Sequence, residues 1–184
     1  MKSSKWIGCV VVIFLVGTIW PVAGWAYAPE AKIAHLVIKN SKDSLLVDLK
    51  IDSEFSPEMT AAALKGVPIR FTITISLYEV NDFWFDKKMA DITAVQELRY
   101  DALKEVYKVI RLRPTSPPAD SKDLDTARLL ISEINDLAVI SLADLKKGVH
   151  YQLMVDTVLS LKKSPFFNFF RHFKTDRYTV NFIY

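Results

Sequence analysis

Gly66-Val67-Pro68-Ile69-Arg70-Phe71-Thr72-Ile73-Thr74-Ile75-Ser76-Leu77-Tyr78-Glu79-Val80 is the stretch that decides the fold. Phe71, Ile73, Ile75 and Leu77 fall on one face, and Arg70, Thr72, Thr74, Ser76 and Tyr78 on the other. Successive side chains of a strand point to opposite faces, so this period of two predicts a half-buried strand. Other apolar segments can pair with it or pack on it. The pattern specifies a fold and no chemistry.

Upstream, Ser56-Pro57-Glu58 reads as a helix start. Ser56 can cap free amides, Pro57 suits the first helical position, and Glu58 complements the positive end. Met59 to Lys65 is rich in helix formers, and Gly66 supplies a left-handed stop. Before it, Ile33 to Ile38 predicts a strand, and Asn40-Ser41-Lys42-Asp43 is turn chemistry. Leu45, Val47, Leu49 and Ile51 then alternate with Leu46, Asp48, Lys50 and Asp52, so the two segments form a hairpin.

Downstream, Asn81-Asp82 marks a turn, with Phe83, Trp84 and Phe85 clustered after it. Lys87 to Tyr100 is a long strand candidate, and Glu105 to Arg113 another. A helix around Ala102-Leu103-Lys104 is the alternative for part of this region. Residues 114–122 hold three prolines and predict a surface loop. In Asp123 to Ile134, Leu124, Ala127, Leu130, Ile131 and Ile134 share a helical face. Val139 to Leu145 predicts a short strand, Lys146-Lys147-Gly148 a turn, and Val149 to Leu161 a long strand. Lys162-Lys163-Ser164-Pro165 repeats the helix start, and Tyr178 to Tyr184 closes the chain as a strand. About eight strands and two or three short helices imply a mainly β, antiparallel, β-sandwich-like single domain.

Residues 1–26 read as a signal peptide. Lys2 and Lys5 form the positive region, Val10 to Ile19 the apolar run, and Gly24-Trp25-Ala26 the small-residue site. Cleavage is expected after Ala26; cleavage after Ala28 would leave Pro29 first. An uncleaved anchor is the alternative, although the 15 residues from Trp6 to Trp20 fall short of the roughly 20 that span a bilayer. Cys9 precedes the apolar run, where a lipid-receiving cysteine would follow it. An exported, periplasmic or envelope-associated protein is therefore expected.

Without residues 1–26 the chain has 158 residues, with 22 basic against 21 acidic, so little basic bias remains for a nucleic-acid partner. The single cysteine, Cys9, leaves with them. Gly66 and Gly148 are then the only glycines, which excludes a glycine-rich phosphate loop. No cofactor is called for.

His35, His150 and His172 lie in different elements, without metal-ligand spacing; His150, beside Gly148, is the foremost candidate among them. No serine has glycine on both sides, as a nucleophile elbow requires. Asp123 with Asp125, and Asp48 with Asp52, read as helix-start and solvent-face charges. The most unusual segment is Phe166, Phe167, Phe169, Phe170 and Phe173, interleaved with Arg171 and Lys174. It reads either as a core plug at one end of the sandwich or as an interaction surface resting on a membrane or partner.

Several landmarks recur together. They are the helix ending in Gly66-Val67-Pro68-Ile69, Trp84 with Asp86, and Leu98-Arg99-Tyr100-Asp101 with Tyr107 six residues on. Gly148 with Tyr151, and Pro165 before a closing strand, complete the set. In this order the chain resembles the bacterial domain of unknown function 4390 family over residues 33–184. Tyr178 and Tyr184 stand where the family's last strand is expected to carry tryptophan, which leaves that strand's register open. The resemblance implies an exported, envelope-facing protein without assigned activity or catalytic residues. It also implies gene neighbourhood with a membrane sensor kinase of the nitrogen-regulation type, an association that is not contact.

Three functions follow as expectations. The first is a non-enzymatic periplasmic binding or accessory module docking on an envelope or membrane signalling protein. The second is a lipid- or membrane-surface-binding protein using residues 166–173. The third, an envelope hydrolase, needs a pocket of convergent titratable groups.

Overall fold

A computed structural model describes residues 31–113, 115–161, 172–174 and 177–184. The expected signal peptide and residues 166–171 lie outside the described residues. The central stretch forms strand β3 (Ile69–Glu79), with β1 (Lys32–Asn40) and β2 (Ser44–Asp52) before it. Strands β4 (Lys87–Asp101), β5 (Val106–Arg113), β6 (Thr115–Ser121) and β7 (Glu133–Ser141) follow. The chain ends with β8 (His150–Leu161), β9 (His172–Lys174) and β10 (Tyr178–Ile183). Helices α1 (Pro57–Leu64) and α2 (Leu124–Ser132) accompany them.

The strands form two antiparallel sheets in a sandwich-like domain. One sheet runs β1-β2-β7. The other has seven strands, ordered β10-β8-β3-β4-β5-β6, with β9 also on β8. β3 therefore sits inside the larger sheet, pairing Ile73 with Ala94 on one side and with Thr157 on the other. Its Ile69, Phe71, Ile73, Ile75 and Leu77 are fully buried, as the alternation predicts. Leu45, Val47, Leu49 and Ile51 of β2 supply the smaller sheet's share of the core. Gln96 Nε2 donates to the Glu133 carbonyl at 3.1 Å, tying β4 of one sheet to β7 of the other.

Helix α1 is bounded by the expected chemistry. Ser56 Oγ accepts the Met59 amide at 3.2 Å. At the other end of α1, Gly66 has φ +80°, its amide reaches the Ala63 carbonyl, and the Val67 amide reaches that of Ala62. That pair of bonds is the Schellman closure, and it turns the chain directly into β3. Asp123 Oδ2 caps α2 through the Thr126 amide at 2.7 Å, and Ala127 and Ile131 bury its apolar face.

Three expectations are corrected. Thr115–Ser121, expected within a surface loop over 114–122, forms an edge strand on β5. Pro117 and Pro118 fall at the register shift opposite Val109 and Arg111, where the ladder is already interrupted. An edge position at a bulge is where a sheet tolerates proline. Second, α2 ends at Ser132, and Ile134 belongs to β7. Third, that strand runs from Glu133 to Ser141 instead of from Val139 to Leu145, and Leu142–Asp144 is a short 3-10 turn. Asn135-Asp136, turn residues by composition, form an irregularity inside the strand. Asp136 has φ +56°, and its amide donates to Asp48 Oδ1 at 2.7 Å. The region around Ala102-Leu103-Lys104, read alternatively as helix, is the turn between β4 and β5.

The closing strand has a definite register: Tyr178 opposite Val155, and Phe182 opposite Tyr151. The rings of Phe182 and Tyr151 stack at 5.8 Å. Among the described residues, no helix is long and apolar enough to cross a membrane.

Candidate docking site

The loop from β3 to β4 is seven residues, Val80 to Asp86, and its base is stitched tightly. The Val80 amide donates to the His150 carbonyl at 3.0 Å, which anchors the loop to β8. Asn81 Nδ2 reaches the carbonyls of Glu79 and Phe85 at 3.4 and 3.3 Å, and its amide donates to Asp86 Oδ1 at 3.2 Å. One asparagine thus closes the loop on itself. Its tip is left to Phe83, Trp84 and Phe85, which are 92%, 81% and 94% exposed. With Asp82 they line an open hollow of about 300 Å³. Three consecutive aromatic side chains held in solvent on a rigid hairpin are unusual, since exposed apolar clusters mark interaction sites.

The charges behind the tip are largely paired. Lys88 Nζ lies 2.6 Å from Asp91 Oδ2 and 5.6 Å from the Tyr78 ring centre. The hydrogen bond from Lys88 holds the Asp91 carboxyl below the usual carboxylate range. Lys146, in the turn before β8, lies 2.9 Å from Glu79 Oε1, and that bond raises its pKa. The Lys146 amide donates to the Tyr151 hydroxyl at 2.9 Å, so the buried Tyr151 positions the turn. Gly148, at φ +75°, brings its amide to the Tyr184 carbonyl. The ends of β3, β8 and β10 are thus locked into one platform under the aromatic tip.

Of the residues singled out in the sequence, Phe166, Phe167, Phe169, Phe170 and Arg171 lie outside the described residues. Phe173 and Lys174 are in β9, their backbones opposite Leu159 and Val158. Leu161 is opposite Ile69, at the start of β3, so β8 ends at the opposite end of the sheet from Trp84. His35 and His150 are exposed on separate strands, and the backbone of His172 pairs with Ser160. Asp123 caps α2, and Asp48 holds Lys39 at 2.6 Å. Among the described residues, no group of three or more His, Cys, Asp or Glu side chains is placed to hold a metal ion. Among the described residues, the most buried charge is Glu97, fully enclosed and paired with Arg70 at 2.7 Å and with Arg99.

A family model described as Domain of unknown function (DUF4390) matches residues 28–179. The chain belongs to that family. No curated protein and no solved structure matches it. The aromatic tip includes Trp84, one of the landmarks that carried the DUF4390 resemblance. The sequence signal for the tip was its setting. Three aromatics in a turn between two amphipathic strands follow neither strand's alternation, so the core does not claim them.

Proposed function

We propose that this DUF4390 protein is an exported, non-enzymatic accessory module held at an envelope surface by the aromatic tip of its β3–β4 hairpin. The supporting observation is the exposure of Phe83, Trp84 and Phe85 on a loop whose base is tied by hydrogen bonds from Val80 and Asn81. Leaving three large aromatic rings in water forfeits burial that a folded chain ordinarily exploits. A rigid base keeps them from collapsing onto the sheet. The hollow beside them carries one carboxylate, Asp82, and no histidine, so it offers no acid–base pair for a hydrolase.

In-cell photo-crosslinking tests this reading. A photoreactive residue is placed at position 84 and, as a control, at position 103. Leu103 is 99% exposed and lies in the β4–β5 turn, at the far end of the larger sheet. Adducts, to lipid or protein, are expected from position 84 in excess of those from 103. Equal yields from the two positions would remove the reading.

A further inference from the structure

The shape and charge of the tip point to its occupant, and the argument rests on the docking reading above. Phe83, Trp84 and Phe85 stand exposed in the loop that joins β3 to β4. Three aromatic side chains offer about 600 Å² in all, short of the roughly 800 Å² that each partner gives to a standard protein interface. A bilayer sets no such minimum, because lipids close around whatever side chains insert. Aromatic side chains with an amphipathic Trp among them favour the membrane–water interface.

The nearest charges are largely paired. Lys88 is paired with Asp91, and Lys146 with Glu79. The charges left beside the triad in the chain are Lys87 against Asp82 and Asp86, the two carboxylates flanking it directly. Lys87 is three residues from Trp84, at most about 10 Å along an extended chain. That separation is comparable to the roughly 5–10 Å to which apolar faces sink at an interface. With the rings at the acyl boundary, these charges lie at the level of the headgroups. One ammonium and two carboxylates there find partners in a headgroup that carries one phosphate and one ammonium, and they offer no positive excess to draw anionic lipid.

We infer that the aromatic tip inserts into a zwitterionic phospholipid surface, Phe83, Trp84 and Phe85 entering the interface while Lys87 meets phosphate and Asp82 and Asp86 meet the headgroup cations. No bond is made or broken, and anionic lipid is not required.

The chain supplies its own reporter. Its four tryptophans are Trp6, Trp20, Trp25 and Trp84. Three of them lie in the expected signal peptide, so in the exported chain from Tyr27 emission comes from Trp84 alone. The probes are vesicles of phosphatidylcholine, with and without phosphatidylglycerol, and the same lipid carrying a quencher at known depth. Expected results are a blue shift of Trp84, quenching strongest by shallow probes, and partitioning changed less than about twofold by phosphatidylglycerol or salt, since unpaired surface charges are screened. The added pair Phe83→Ser and Phe85→Ser, at two exposed sites with the fold checked by circular dichroism, should weaken partitioning by about tenfold or more, given the ring area lost.

Three outcomes overturn the inference. Partitioning that appears only with phosphatidylglycerol contradicts the headgroup match. An unshifted, unquenched Trp84, with a discrete protein adduct from position 84 in cells, removes the bilayer as occupant and leaves the docking reading standing. Neither vesicle binding nor an adduct removes both.

Discussion

The same substitution, Phe→Ala, is expected to have opposite consequences at two places in this chain. Phe71 is completely buried near the start of β3, 6.5 Å from the Phe55 ring, whereas Phe85 is 94% exposed at the hairpin tip. A phenylalanine side chain buries about 200 Å² when enclosed. At ~25 cal/mol per Å², Phe71→Ala forfeits about 5 kcal/mol of transfer energy, at the upper end of the ~3–5 kcal/mol seen for such core truncations. Phe85 has only about a twentieth of its area removed from water, so Phe85→Ala costs ~0.3 kcal/mol on the same scale. Urea unfolding followed by far-ultraviolet circular dichroism reads both, as a midpoint shift at unchanged slope. A loss above ~1 kcal/mol for Phe85→Ala would mean that the tip is packed in the free protein, and the docking argument would lose its premise. A loss that small for Phe71→Ala would refute the assignment of the core face.

Gly66→Ala should cost about 1–2 kcal/mol, because φ +80° is strained for an L side chain while no atom lies within 4 Å of the added Cβ. Gly66→Asn should cost less, since asparagine tolerates that conformation, and thermal unfolding ranks the two. The Thr126 amide holds the Asp123 carboxyl below its ordinary value of 3.8, so its stabilising effect is complete above that value and is lost as pH falls below it. Asp123→Asn keeps the cap without the titration, so the midpoint difference between variant and parent should change only on the acid side, in unfolding curves taken across pH. Glu97→Ala, which takes a fully buried carboxylate from between Arg70 and Arg99, should cost about 3 kcal/mol in urea. A loss below ~1 kcal/mol would indicate a solvent-screened pair.

Elements whose cues act within a few residues were legible in the sequence. The alternation of β3, the β1–β2 hairpin, the caps at Ser56 and Gly66, and the helix start at Asp123 follow from local sterics and hydrogen bonding. β6 was not legible, because Pro117-Pro118 signals a loop to any local rule. Only the register of β5 shows that the two prolines fall where no ladder bond is needed. β7 was hidden in the same way: Asn135-Asp136 reads as a turn until Asp48, 88 residues away, is placed beside the Asp136 amide. The aromatic tip was visible as a cluster, but its exposure depends on what fails to pack against it. That is a property of the assembled ends of β3, β8 and β10. The Phe-rich stretch drew attention by composition alone, and composition does not distinguish a plug from a contact surface.

The most direct test of the account is the accessibility of the tip in place. Cys9 is the only cysteine, so Cys9→Ser clears the background, and Phe85→Cys or Leu103→Cys then places one thiol at either end of the larger sheet. Alkylation by a polar maleimide is timed on purified protein and on intact, permeabilised envelopes. The account predicts similar rates for both thiols in the purified protein, and selective protection of the Phe85→Cys thiol in envelopes. Equal rates for the two thiols in envelopes would contradict it.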